Sequence, residues 1–131
     1  MKYYDITQMT AQEVFDASVS HVIEQGEQSR NAGVCKYRSK DGLLVCAAGI
    51  FLTDGEARAA DEVSALWVNL YGCEGCVSMF PRLKGSYDRL IRGLQRAHDD
   101  SQKGKRFVDD FILDVKLLAV SHNLEWNHER A

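Results

Sequence analysis

Apolar residues recur along this chain at spacings of three and four, and each such stretch predicts a helix with one buried face. Val14, Phe15, Val19, Val22 and Ile23 form the first stripe. It opens at Thr10-Ala11-Gln12-Glu13, where the threonine hydroxyl caps the free amides of a new helix and the glutamate reaches back, and it closes near Gly26. Val63, Leu66, Trp67 and Leu70 give a second stripe, closed by Tyr71-Gly72. Leu90, Ile91, Leu94 and Ala97 mark a third, starting near Ser86. The clearest stripe is the last, where Phe107, Val108, Phe111, Ile112, Val115, Leu118, Ala119 and His122 hold helical spacing.

Between the first two stripes the pattern changes. Val34 to Arg38 reads as a short strand, Ser39-Lys40-Asp41-Gly42 as a turn and Leu43 to Cys46 as the returning strand, because Asp-Gly suits the backbone angles of a tight hairpin. From Cys46 onward, Ala47-Ala48-Gly49-Ile50-Phe51-Leu52 fits either more strand or a short buried helix. The alanines favour the helix, ending at Thr53-Asp54-Gly55. Residues 72–85 hold three glycines and the only proline and read as a loop. The expected fold class is therefore α+β and mostly helical, with about four helices packed with a small β-hairpin near residues 34–46, in one domain over 1–131.

Composition narrows the class. At 131 residues, 45% hydrophobic and 27% charged, the chain buries a core of its own without metal or disulfide staples. The longest apolar run, Leu43 to Leu52, falls short of the roughly 20 residues a membrane span needs. The segment Met1-Lys2-Tyr3-Tyr4-Asp5 carries no export-signal pattern, so the reducing cytoplasm is the expected compartment.

The net charge of -3 conceals an uneven distribution. Residues 82–106 hold 8 basic and 3 acidic groups. Arg89, Arg92 and Arg96 fall on one side of the third helix, with Arg82 and Lys84 before it and Lys103, Lys105 and Arg106 after it. Such a row grips phosphates or an acidic surface on a partner protein, and a solvated helix face is the competing reading. The acidic total, the missing reading helix and Asp99-Asp100 argue against duplex DNA.

At Phe15-Asp16, His21, Gln25-Gly26, Ser29, Cys35, Tyr37-Arg38, Asp41-Gly42, Cys46-Ala47, Gly49 and Asp54 the chain resembles a group of small phage and prophage proteins without an established biochemical activity. The shared pattern runs F-D-x(4)-H-x(3)-Q-G-x-x-S, then C-x-Y-R, a glycine turn and C-A-x-G. Three residues, Leu43-Leu44-Val45, separate the turn glycine from Cys46 where the pattern has two. The resemblance covers the N-terminal half and implies a viral origin and an accessory role rather than a reaction.

Candidate chemistry is sparse. Cys73-Glu74-Gly75-Cys76 has zinc-knuckle spacing and would need Cys35 and Cys46, or a cysteine with a histidine, to complete a tetrahedral site, but free cysteines also pack as small hydrophobes. His21, His98, His122 and His128 show no metal-binding spacing, and no nucleophile elbow or phosphate loop is present. Tyr37 and Arg38 beside the glycine turn are the remaining pair: an arginine forks onto phosphate and a tyrosine stacks on a base. Core packing for Tyr37 and a helix carboxylate for Arg38 form the alternative.

These features predict a protein that is not an enzyme and holds no cofactor or metal. The expected function is that of a small phage-encoded accessory protein that binds and modulates or inhibits a host component, with a defence factor as candidate target. A nucleotide-sequestering protein and a zinc-stabilised interaction module are the alternatives. The candidate binding residues are Tyr37, Arg38, Arg89, Arg92 and Arg96, and the expected partners are a host protein or a small nucleotide, with no duplex DNA and no membrane. Trp126, or the run Val77-Ser78-Met79-Phe80, offers apolar surface for a homodimer.

Overall fold

The computed structural model describes residues 4–31, 34–39, 43–63, 70, 79–83, 87–101 and 106–128. Thr10 opens α1 (Ala11–Gln25) as its sequence predicts: its hydroxyl accepts the Glu13 N–H at 3.1 Å and the Glu13 carboxylate accepts the Thr10 N–H at 2.9 Å. Gly26 ends the helix in a left-handed conformation, φ 74°, which a residue without a Cβ adopts without strain.

The second helix corrects the sequence reading. Residues 49–51 form only a single 3-10 turn, and Thr53-Asp54-Gly55, expected as a helix end, is a helix start. Thr53 and Glu56 build a second capping box and launch α2 (Asp54–Glu62). In the predicted stripe that follows, Val63 is exposed and Leu70 buried, while Leu66, Trp67 and the turn at 71–72 lie outside the described residues.

α3 (Asp88–Asp100) and α4 (Phe107–Ser121) match the last two stripes, although Ser86, the expected cap, lies outside the described residues. Tyr87 precedes α3 with φ 24° and donates its hydroxyl to the Met9 carbonyl at 2.7 Å. α3 and α4 run antiparallel, because His98 meets Phe107 (ring centroids 5.6 Å apart) while Gly93, five residues earlier, meets Leu118. A Cβ at Gly93 would strike the Leu118 side chain, so the glycine permits this close approach. α1 packs against both helices.

The α+β class and the hairpin near 34–46 are overturned: the protein is mostly helical. Extended pairing among the described residues amounts to two residues of each strand, Arg30–Asn31 against Val34–Cys35, and a lone bridge between Arg38 and Val45. The physical reason lies in where the amides go. Lys36 donates its N–H to the Ser29 carbonyl and Tyr37 donates its N–H to the Asp61 carboxylate at 3.0 Å, while the Leu44 N–H goes to the Ser39 hydroxyl, so pairing with the returning segment is confined to the Ser39 N–H on the Leu44 carbonyl and the Cys46 N–H on the Tyr37 carbonyl. The proposed turn Asp41-Gly42 lies outside the described residues.

The core joins Val14, Phe15, Val19 and Val22 of α1, Leu90, Ile91, Leu94 and Ala97 of α3, and Phe107, Phe111, Val115 and Ala119 of α4 to an unbroken buried run from Val45 to Leu52. No helix among the described residues is long and apolar enough to cross a membrane.

Candidate functional site

A buried run that is neither a long helix nor a strand must find partners for its backbone polar groups, since each one left unpaired costs about 1–3 kcal/mol. Side chains from all around it supply them. Gln25 accepts the Val45 N–H at 2.8 Å and donates to the Val45 carbonyl at 2.9 Å, and His21 Nε2 donates to that carbonyl at 2.8 Å. Ser18 donates to the Ala47 carbonyl, Gln95 accepts the Ala48 N–H, and Arg82 donates to the Phe51 carbonyl.

Arg38 belongs to the same scaffold. Its guanidinium donates to the carbonyls of Gly49 at 2.7 Å and Leu52 at 2.8 Å and to the Asp54 carboxylate at 3.2 Å, and its side chain is only 12% exposed. Gly49 is a glycine for the same reason: a Cβ there would lie 2.6 Å from the Tyr37 carbonyl oxygen and 2.8 Å from Arg38 Nη1. Tyr37 is buried, and burial pushes its hydroxyl pKa up. The two residues expected to grip a nucleotide therefore face inward. Gln25, His21 and Arg38 all converge on residues 45–52, where Gly49 makes room for Arg38, so these four residues build the interior.

The buried titratable groups are equally committed. Cys46 is fully buried, accepts the Gly49 N–H on Sγ at 3.2 Å, and has its thiol pKa pushed up by that burial, which keeps it a neutral thiol. The buried Ser29 amide points at His98 Nε2, 3.0 Å away. A backbone N–H only donates, so Nε2 accepts, and the ring proton sits on Nδ1, directed at Asp99 Oδ1 at 2.7 Å. With both nitrogens occupied, His98 has no lone pair for a substrate. Among the described residues no three His, Cys, Asp or Glu side chains converge as a metal site; Cys73 and Cys76 lie outside them.

Arg89, Arg92 and Arg96 are placed differently. All three are exposed along the face of α3 opposite Leu90, Leu94 and Ala97, and none makes a hydrogen bond or ion pair with a described residue. Arg82 is bound to Glu56 at 2.6 Å and so leaves the basic row. Arg106 is exposed, and Lys84, Lys103 and Lys105 lie outside the described residues.

Two further features escaped the sequence reading. A groove of about 800 Å³ runs along the outer side of α1, and Asp5, Glu13, Asp16 and Glu24 are its charged lining. At its rim Ser20 Oγ lies 3.3 Å from His128 Nδ1, and His128 Nε2 lies 2.7 Å from Asp16 Oδ1. The types match a serine–histidine–aspartate relay, but Ser20 stands inside α1, where backbone amides are bonded within the helix and cannot stabilise an oxyanion. The arrangement fastens the C-terminal segment. The i, i+4 spacing of Asp16 and Ser20 was visible in the sequence, but their partner lies over 100 residues away.

No protein-family model, curated protein or solved structure matches this chain.

Proposed function

We propose that this chain is a phage-encoded accessory protein that acts by binding rather than by catalysis, and that it receives an acidic surface of a host protein on Arg89, Arg92 and Arg96. One observation carries the reading: three guanidinium groups stand exposed on one helix face with no described partner, while Arg38 and Arg82 are committed to carbonyls and carboxylates. An uncompensated row of like charge steers and orients an oppositely charged partner, and its contribution falls with salt. The phage-like pattern supports the accessory role. The neutral Cys46 thiol and the doubly engaged His98 support the absence of catalysis.

The nucleotide-sequestering alternative keeps the arginine row for phosphates but loses Arg38 and its base-stacking Tyr37, because both face the interior. The test is co-purification from a bacterial host lysate at low and high salt. One dominant protein is expected at low salt, and Arg89→Glu, Arg92→Glu and Arg96→Glu together should abolish its recovery without lowering the melting temperature. Recovery retained by the triple variant would sink the assignment.

A further inference from the structure

Two exposed rows that the interior does not use lie on neighbouring helices. Leu113, Leu117 and Val120 recur at i, i+4 and i+7 on α4 and are 65%, 70% and 75% exposed, so the helix is apolar on its solvent side as well as on its core side. Arg89, Arg92 and Arg96 stand exposed on α3. Each row departs from the mixed polar surface of a helix that faces water alone.

The packing of α3 on α4 sets the two rows beside each other. Gly93 sits against Leu118. Arg89 and Arg96, at i−4 and i+3 from Gly93, therefore flank that seam on α3, while Asp114 and Ser121, at i−4 and i+3 from Leu118, flank it on α4. Leu117 comes next around α4, followed by Leu113 and Val120. Leu90, Leu94 and Ala97 of α3 and Phe111, Val115 and Ala119 of α4 are buried in the shared core, so the arginines and the exposed aliphatic side chains emerge together on the solvent side of the helix pair. The antiparallel register, with Gly93 at Leu118 and His98 at Phe107, puts Arg89 level with Val120 and Arg96 level with Leu113 to within a turn. Each row is about 10 Å long at the rise of an α-helix.

We propose that this seam receives one amphipathic helix of a partner protein, with acidic side chains along its edge over α3 and aliphatic side chains along its edge over α4. The chemistry of each row selects that occupant. Three guanidinium groups without a described partner fork onto carboxylates. Three aliphatic side chains at helical spacing match anchors at the same spacing on a helix laid against them. A nucleic acid backbone would use the arginines and leave the aliphatic row in water. Asp114, exposed between the rows, repels a carboxylate from the α4 edge and so fixes which edge of the partner helix faces which row. The assignment rests on the arginine row being a docking face and adds the apolar half of that face.

Fluorescence anisotropy with synthetic helical peptides tests this. The first peptide carries glutamates at i, i+4 and i+7 along one edge and leucines at the same spacing along the next. A second has lysines for the glutamates, and a third has glutamines for the leucines. Saturable binding of the first peptide, weakened by salt, is expected, with the other two at least about tenfold weaker. Leu113→Gln with Leu117→Gln keeps helix propensity at two exposed positions and should weaken the first peptide at least about tenfold without lowering the melting temperature. Should that pair fail to fold, methyl chemical shifts of the wild-type protein titrated with the first peptide take its place: changes are expected at Leu113, Leu117 and Val120, and changes confined to other methyls would overturn the proposal. So would no binding of the first peptide, equal binding of the lysine peptide, or unchanged binding by the leucine-to-glutamine pair. In capture from host lysate, a leucine-to-glutamine pair that recovers the host protein as the wild type does, while the arginine triple variant loses it, would sink the seam and leave the arginine row standing; recovery by the triple variant would sink both.

Discussion

The side-chain amide of Gln25 pairs with both backbone groups of Val45, taking the place a neighbouring strand would hold. Removing the amide while keeping the volume leaves a buried N–H with no acceptor, although the carbonyl still has His21. Gln25→Leu is therefore expected to lower unfolding stability by about 1–3 kcal/mol. Urea denaturation measures this directly, and an unchanged midpoint would contradict the role.

Arg38 and Gly49 should behave as one unit. Lysine carries a single ammonium and cannot span the Gly49 and Leu52 carbonyls as the guanidinium does, so Arg38→Lys should cost about 1–3 kcal/mol. Gly49→Ala forces a Cβ against the Tyr37 carbonyl and Arg38 Nη1 and should cost a similar amount. Because one of the atoms in the way belongs to Arg38, the double variant should lose less than the sum of the two. Strict additivity in a double-mutant cycle would show that the two residues act separately.

Acid should weaken the fold in two separate windows. Burial lowers the His21 pKa below its ordinary 6.5, against the opposing pull of the Val45 carbonyl. The unfolded chain therefore takes up the proton first. This part of the stability is whole above pH 6.5 and is lost as pH falls through the lowered folded value, by at most about 1.4 kcal/mol per pH unit. Glu56 acts lower on the scale: burial raises its pKa, but the Arg82 and Thr53 hydrogen bonds outweigh burial and bring it below 4.5. Its contribution is present above pH 4.5 and disappears as pH falls through the depressed value. Denaturation midpoints measured from pH 8 to pH 3 should lose the upper window in His21→Gln and the lower one in Glu56→Gln.

His98 should tolerate no substitution that reverses its hydrogen-bonding sense. His98→Ala leaves the Ser29 amide unpaired and a void beside Phe107, and about 2–5 kcal/mol of stability should be lost. Thermal and urea unfolding together give the value, and a loss below about 1 kcal/mol would contradict the geometry.

Three of the four described helices were legible because their signal is local. The stripes of α1, α3 and α4 need only the 3.6-residue repeat and one buried face. The start of α2 is present too, in the Thr53 to Glu56 spacing, but the alanines of the preceding apolar run point to a helix that Thr53 would end. A continuous apolar run carries no period, so nothing in 45–52 itself tells strand from helix from buried irregular chain. The exposed arginine row followed from helical spacing alone.

Everything that turns on partners far apart in the chain was settled by packing. Of the residues most suggestive of chemistry, His21, Arg38 and Cys46 became interior fittings because a buried backbone at 45–52 needed donors and acceptors more than a pocket needed ligands, while His98 went to the buried Ser29 amide and Tyr37 to the core. Asp61 limits the expected hairpin by taking the Tyr37 amide, a competition no residue in the hairpin announces. The seat of the C-terminal segment on α1 joins residues more than 100 positions apart. Periodicity is written in neighbours, whereas the satisfaction of buried polar groups is decided only when distant segments meet.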